Sequence, residues 1–138
     1  MKIIIAYCFA LVLLSGCANT QTSLYDELGG KATIAQIVDN FIHEIEFDQT
    51  MFAYFAESDI DRFREKLNEH LCFLANGPCQ YTGDTMQQVH AGMNISEGDF
   101  NHGVDLFIAA MNKAQVPHPL QNKLLAKMVP TRKDIIYL

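Results

Sequence analysis

The chain is short of positive charge. Its 138 residues carry ten lysines and arginines against sixteen aspartates and glutamates, a formal net charge of -6. Recognition of a phosphate backbone depends on clustered lysine and arginine, and no basic stripe offsets the acidic balance, so nucleic acid is excluded as a partner. Alternation of apolar and polar residues is missing throughout, which removes strands from the expected architecture. No internal repeat is present. The five histidines are scattered, and none has a second histidine or a carboxylate at ligand spacing, which leaves a protein-only zinc site poorly supported. Nor is any apolar run long enough to cross a bilayer as a permanent helix. At this length, one domain with a core large enough to enclose a cofactor is expected.

The longest apolar run, Ile3 to Leu14, follows Lys2 and ends in Leu14-Ser15-Gly16-Cys17. A run of about a dozen apolar residues behind a lysine reads as a secretion signal. The last four residues match the pattern at which bacterial lipoproteins are cleaved and lipidated, so residues 1–16 are expected to be removed and Cys17 to carry lipid. An ordinary signal peptide or a retained anchor is the alternative. Residues 17–23 then form a short polar linker, and lipid on one residue tethers the domain, residues 24–138, to a membrane surface without burying it. Ala18 rather than an aspartate follows the cysteine, which favours the outer membrane over retention at the inner one. The expected location is therefore exported, lipid-anchored and facing the periplasm. Of the four cysteines, Cys8 leaves with the signal and Cys17 is lipidated. Cys72 and Cys79 remain, seven apart across a Gly77-Pro78 turn, in a compartment where a disulfide persists. Two buried thiols are the alternative.

From residue 24 onward the pattern is helical. Leu24 to Leu28 makes a short turn stopped by Gly29-Gly30. Ile34, Ile37, Val38, Phe41 and Ile45 recur at three and four, predicting a helix from Lys31 to about Glu46 with one buried face. Met51 to Ala56 is a compact aromatic cluster, core filler on its blandest reading. Asp59 caps a further helix whose inner face carries Phe63, Leu67, Leu71 and Leu74. His70 falls within that stripe and Lys66 on its flank. Val89 and His90 end a short helical run broken by Gly92, and Ser96, followed by Glu97 and Asp99, caps the next helix. Phe100, Val104, Phe107, Ile108 and Met111 trace that helix to just before Val116-Pro117. A last helix is expected from about Pro119 to Tyr137, kinked at Pro130. The expected fold class is all-α.

His90 sits close to a helix stop, where its imidazole can be aimed across a groove. One imidazole suits a haem iron, whose equatorial ligands come from the porphyrin; taken by itself, it is equally a helix-end histidine with an ordinary hydrogen bond. The surroundings decide. Tyr81-Thr82-Gly83, Met86 and His90-Ala91-Gly92-Met93-Asn94-Ile95, with Leu24-Tyr25-Asp26-Glu27-Leu28-Gly29-Gly30 near the start and Phe55 between, resemble a group I truncated haemoglobin over about Ser23 to Leu138. The resemblance implies a two-over-two globin-like helical sandwich enclosing haem b. It also implies His90 as the proximal iron ligand, Phe55 wedged against the haem plane, and reversible binding of oxygen or another diatomic gas at the sixth position. Phe41, Ile42, Phe63, Lys66, Leu67, His70, Tyr81 and Met86 are placed around the same cofactor.

Many members of that family carry a tyrosine directly after the residue matching Phe41, and a glutamine on the helix that runs over the haem. This chain has Ile42 and Leu67 there. With Phe63 also apolar, no obvious donor stabilises bound oxygen, which argues against tight oxygen binding and fast nitric oxide detoxification. Lys66 lies where some relatives place a ligand from the far side; its stem is long enough to reach the iron, or to pair with a haem propionate. His70 is expected to pack beside the haem edge with its nitrogen hydrogen-bonded. His43, His102 and His118 are expected at the surface. Three other functions stay open. One is nitric oxide dioxygenase or peroxidase-like chemistry at the same iron, which needs a reductase partner or peroxide and a polar distal group. Another is a hexacoordinate redox or sensor globin with Lys66 as sixth ligand. The third is a haem-free helical lipoprotein that uses its acidic surface for protein contacts.

Overall fold

The structure, a computed structural model, describes residues 22–138. The expected signal segment and Cys17 lie outside the described residues. Among the residues described, seven α-helices follow one another: α1 Leu24–Leu28, α2 Gly30–Glu46, α3 Gln49–Phe55, α4 Ile60–Leu74, α5 Met86–His90, α6 Glu97–Lys113 and α7 His118–Met128, with a 3-10 helix at Val129–Asp134. Among the described residues there is no strand, only an isolated parallel bridge between Ile95 and Ile136.

Most of these helices start where a side chain takes over a backbone donor that the first turn leaves free. Ser23 Oγ accepts from the Asp26 N–H at 3.1 Å, Asp48 from Met51 at 2.9 Å, Asp59 from Arg62 at 3.0 Å and Ser96 from Asp99 at 3.1 Å, opening α1, α3, α4 and α6. The five-residue α5 has a full capping box, Thr85 and Gln88 satisfying each other's backbone N–H. Between α1 and α2 the chain turns at once because Gly29 adopts a φ of 99°, and a Cβ there would meet Thr33 Oγ1 at 2.5 Å.

α2 is the hub, packed most extensively against α6, next against α4, and touching α1 and α3. Ile34, Ile37 and Val38 of α2 meet Leu71 of α4, Met111 of α6 and Leu124 of α7 in one core from which water is shut out. Burying each such side chain is worth about 1.5 to 3 kcal/mol, and this drives the helices together. Gln121 is buried among them; its Nε2 donates to Asn112 Oδ1 and to the Val116 carbonyl, both at 2.8 Å, and ties α7 to the turn after α6.

The last helix differs from the expectation of one rod kinked at Pro130. α7 ends at Met128, because Pro130 has no N–H to donate to the Ala126 carbonyl. The backbone tightens into the 3-10 turns and then leaves helix altogether. Tyr137 N–H donates to the Ile95 carbonyl at 3.0 Å, and Asn94 N–H to the Leu138 carbonyl at 2.7 Å, so the C-terminal residues fasten the segment just after α5. At the other end of that region, Cys72 of α4 is bonded to Cys79 with Cα atoms 5.9 Å apart, which fixes the loop leading to α5.

Candidate haem site

α5 presents one imidazole in a defined tautomer. His90 Nδ1 lies 2.7 Å from the Met86 carbonyl, one turn back on the same helix. A carbonyl only accepts, so Nδ1 carries the proton and Nε2 keeps its lone pair. That is the form a metal-ligating histidine takes when a second bond fixes its ring. Burial holds His90 below the usual histidine range, with the Met86 bond opposing, which keeps the ring neutral near pH 7. Gly92, at a φ of 80° with open space around it, then turns the chain out of the helix.

The residues expected around a cofactor share one property. Phe41, Ile42, Phe55, Phe63, Leu67 and Met86, and with them Lys66, His70, Tyr81 and His90, are all half-buried, neither core nor surface. Phe41, Ile42 and Leu67 lean on the core, while Phe55 and Phe63 stack edge to face with ring centres 4.9 Å apart. Each keeps apolar area that the protein itself does not cover. Ile42, Phe55 and Phe63 also line, with Ile45, Phe52 and Ile60, an apolar cavity of about 290 Å³. Glu46 and Arg64 are the charged residues of its wall, and the Arg64 guanidinium is committed to Asp39 at 3.0 Å and Asp61 at 2.7 Å.

His70 departs from its expected hydrogen bond. Its Nδ1 is buried with no partner among the described residues, and its ring stands edge to face against Tyr81 at 4.8 Å. Burial pushes its pKa down. An unsatisfied buried nitrogen costs about 1 to 3 kcal/mol. Set beside half-covered aromatic and aliphatic side chains, it fits a site completed by the polar edge of a cofactor. The Tyr81 hydroxyl donates to the Asp84 carbonyl at 2.6 Å and covers Gly83 so closely that no Cβ would fit there, which explains the Tyr-Thr-Gly sequence physically.

Lys66 turns toward the loop before α5, and Glu65 and Glu69 of α4 together with Thr82 of that loop bind its ammonium. Glu69 in turn is held down to about 2, first by the Thr82 N–H and then by Lys66 and the Thr82 hydroxyl. Of the histidines expected at the surface, His43 is exposed with its ring against Phe47, and His118 is exposed. His102 is more than a surface residue: its Nε2 lies 2.6 Å from Asp48 Oδ2, so it joins α6 to the cap of α3. Among the described residues no three of histidine, cysteine, aspartate and glutamate gather closely enough to hold a metal ion. His90 therefore serves a metal only where other ligands come from outside the protein, as a porphyrin provides them.

With this geometry in hand, comparison with known proteins defines the class. The bacterial-like globin family matches residues 23–137, and the chain belongs to it. Over 113 residues it is 28% identical to a group 1 truncated hemoglobin of Mycolicibacterium paratuberculosis, covering 82% of this chain and 83% of the relative. Over 80 residues it is 35% identical to a group 1 truncated hemoglobin of Nostoc commune, covering 58% of this chain and 68% of the relative. The crystal structure of the truncated hemoglobin of Tetrahymena pyriformis in its Fe(III) form superposes with a TM-score of 0.80 at 25% identity, over 85% of this chain and 100% of that one. The fold is the two-over-two globin sandwich, and the chain is a haem-binding globin for a diatomic gas.

Proposed function

We propose that His90 Nε2 is the proximal ligand of a haem b and that oxygen, or another diatomic gas, binds reversibly on the opposite side. The observation that carries this assignment is the His90 bond to the Met86 carbonyl, which leaves one neutral imidazole nitrogen free beside side chains the protein leaves half-covered. When bound, haem supplies the iron that takes the gas. The chain's own residues do the rest: Met86 orients His90, while Phe41, Phe55, Phe63 and Leu67 keep water out. His70 and Tyr81 offer a polar edge. Ile42, Phe63 and Leu67 give bound oxygen no hydrogen bond, which supports rapid exchange of the gas rather than tight storage. The same absence disfavours nitric oxide dioxygenase or peroxidase-like work, which needs a polar distal group and a reductase or peroxide.

The location is part of the same proposal. The apolar run behind Lys2 and the Leu14-Ser15-Gly16-Cys17 sequence support export, loss of residues 1–16 and lipid on Cys17, with the globin domain outside the cytoplasm at the outer membrane, facing the periplasm. Oxygen or a related gas is then met where it enters the cell.

The test is to titrate the apoprotein with hemin, reduce it, and expose it alternately to oxygen and argon. One haem per chain with a Soret band, and an oxygenated spectrum that reverts under argon, is the expected result. No Soret band refutes the haem assignment; immediate conversion to the ferric form with no oxygenated species refutes reversible oxygen binding.

A further inference from the structure

The Lys66 ammonium has three acceptors: Glu65 Oε1 at 2.8 Å, Glu69 Oε1 at 3.0 Å and Thr82 Oγ1 at 2.8 Å. An ammonium has three N–H donors, and this set uses all of them. Glu69 does more than pair with the lysine. Its Oε2 accepts the Thr82 backbone N–H at 3.0 Å and the Thr82 hydroxyl at 2.8 Å, so Lys66, Thr82 and Glu69 close a ring of hydrogen bonds between α4 and the loop before α5. That loop is pinned independently. The Cys72–Cys79 bond holds one end, and at the other the Arg62 guanidinium pairs with Asp84 at 3.0 Å while Tyr81 caps the Asp84 carbonyl. His70, one turn further along α4, contributes no hydrogen bond to the ring.

We propose that Glu69 and Thr82 act as a latch that holds Lys66 on the loop and off the haem iron, so that the sixth position stays free for gas. The inference rests on the haem assignment above and names how its open site is kept open. Lys66 stands on the helix that the family places over the haem, and its stem is long enough to reach an iron. To do so it must give up three hydrogen bonds, two of them to carboxylates, and lose a proton that those carboxylates stabilise. Glu69 is the positioning residue because it holds both Lys66 and the backbone of the loop; Thr82 alone offers the lysine a single neutral oxygen. Opening the latch converts a gas-binding globin into one closed by its own lysine.

The test uses ferric, haem-loaded protein followed by absorption and electron paramagnetic resonance. Wild type and Lys66→Met are expected to be high-spin and indistinguishable. Glu69→Gln combined with Thr82→Val is expected to acquire a low-spin fraction several-fold above that of wild type, and adding Lys66→Met should abolish it. In the apoprotein, Glu69→Gln should speed hydrogen exchange at the Thr82 amide by about tenfold or more, as expected for loss of a bond to a charged acceptor. Should the double variant fail to take up haem, Glu69→Gln with Thr82 intact, which removes the charge that holds both the lysine and the loop, carries the same spectroscopic test. A wild type that is already low-spin and becomes high-spin in Lys66→Met overturns the latch. So does a double variant whose Thr82 amide exchanges fast while its iron remains as high-spin as wild type. A wild type that shows no Soret band fails the haem assignment itself, a result distinct from both.

Discussion

Replacing Ile42 by tyrosine and Leu67 by glutamine should slow oxygen release, because the side chains proposed to face the gas, Ile42, Phe63 and Leu67, offer it no donor. Ile42 shares an apolar cavity of about 290 Å³ with Phe55 and Phe63, so the larger tyrosine has room to enter without forcing the core apart. Leu67 is half-buried and only partly engaged with the core, which lets a glutamine of similar length replace it. The guanidinium in the same wall is already committed to Asp39 and Asp61. A hydrogen bond to a partly charged ligand is worth about 1.5 to 3 kcal/mol, and at 1.4 kcal/mol per factor of ten the oxygen off-rate should fall by roughly tenfold to a hundredfold. Carbon monoxide, less polar when bound, should respond less. Stopped-flow displacement of each gas, in the double variant with and without Lys66→Ala, measures both effects. If the oxygen off-rate is unchanged in both backgrounds, the donor-free wall is wrong, and a group such as His70 already reaches the bound gas.

Removing the disulfide with Cys72→Ser and Cys79→Ser opens a closed loop of about eight residues, and the chain-entropy relation gives a loss of about 2.5 kcal/mol, to be read as a lower midpoint in denaturant unfolding with the disulfide-containing protein as reference. Glu69 predicts a pH effect with a definite sign. Its carboxyl titrates near 4.5 when free and at about 2 when folded, so its contribution to stability is present in full above 4.5 and is lost as pH falls toward 2. The difference in Tm between wild type and Glu69→Gln should therefore be largest near neutral pH and shrink steadily on acidification; a constant difference would contradict the pairing. Cys17→Ser should abolish lipid modification, and intact-mass analysis of membrane-fraction protein that still contains residues 1–16 would refute the processing site.

Helix positions are readable in the sequence wherever an apolar period coincides with a local cap. α4 starts behind Asp59 and α6 behind Ser96 because each cap and its partner lie three residues apart. The Thr85-x-x-Gln88 box that opens α5 carries the same kind of signal and is equally local. What fails is what depends on distant partners. Pro130 marks an interruption, but nothing near it shows that Tyr137 will bond to Ile95, so the end of α7 is misread as a kink. His102 looks like a surface histidine because Asp48 lies 54 positions away, and the three-way hold on Lys66 depends on Thr82, sixteen positions along and across a loop. Gln121, a polar residue among helical surface neighbours, gives no sign of its burial. At the site, the motif around His90 identifies which histidine to examine. The bond that fixes its tautomer follows only once Met86 and His90 are known to lie on one helical turn.

Resonance Raman spectroscopy of the ferrous, gas-free protein tests the His90 assignment most directly. An iron–histidine stretching band should be present in wild type, absent in His90→Gly, and restored when imidazole is added to His90→Gly. A band that persists unchanged in His90→Gly without imidazole would show that another residue holds the iron, and the assignment of His90 would be wrong.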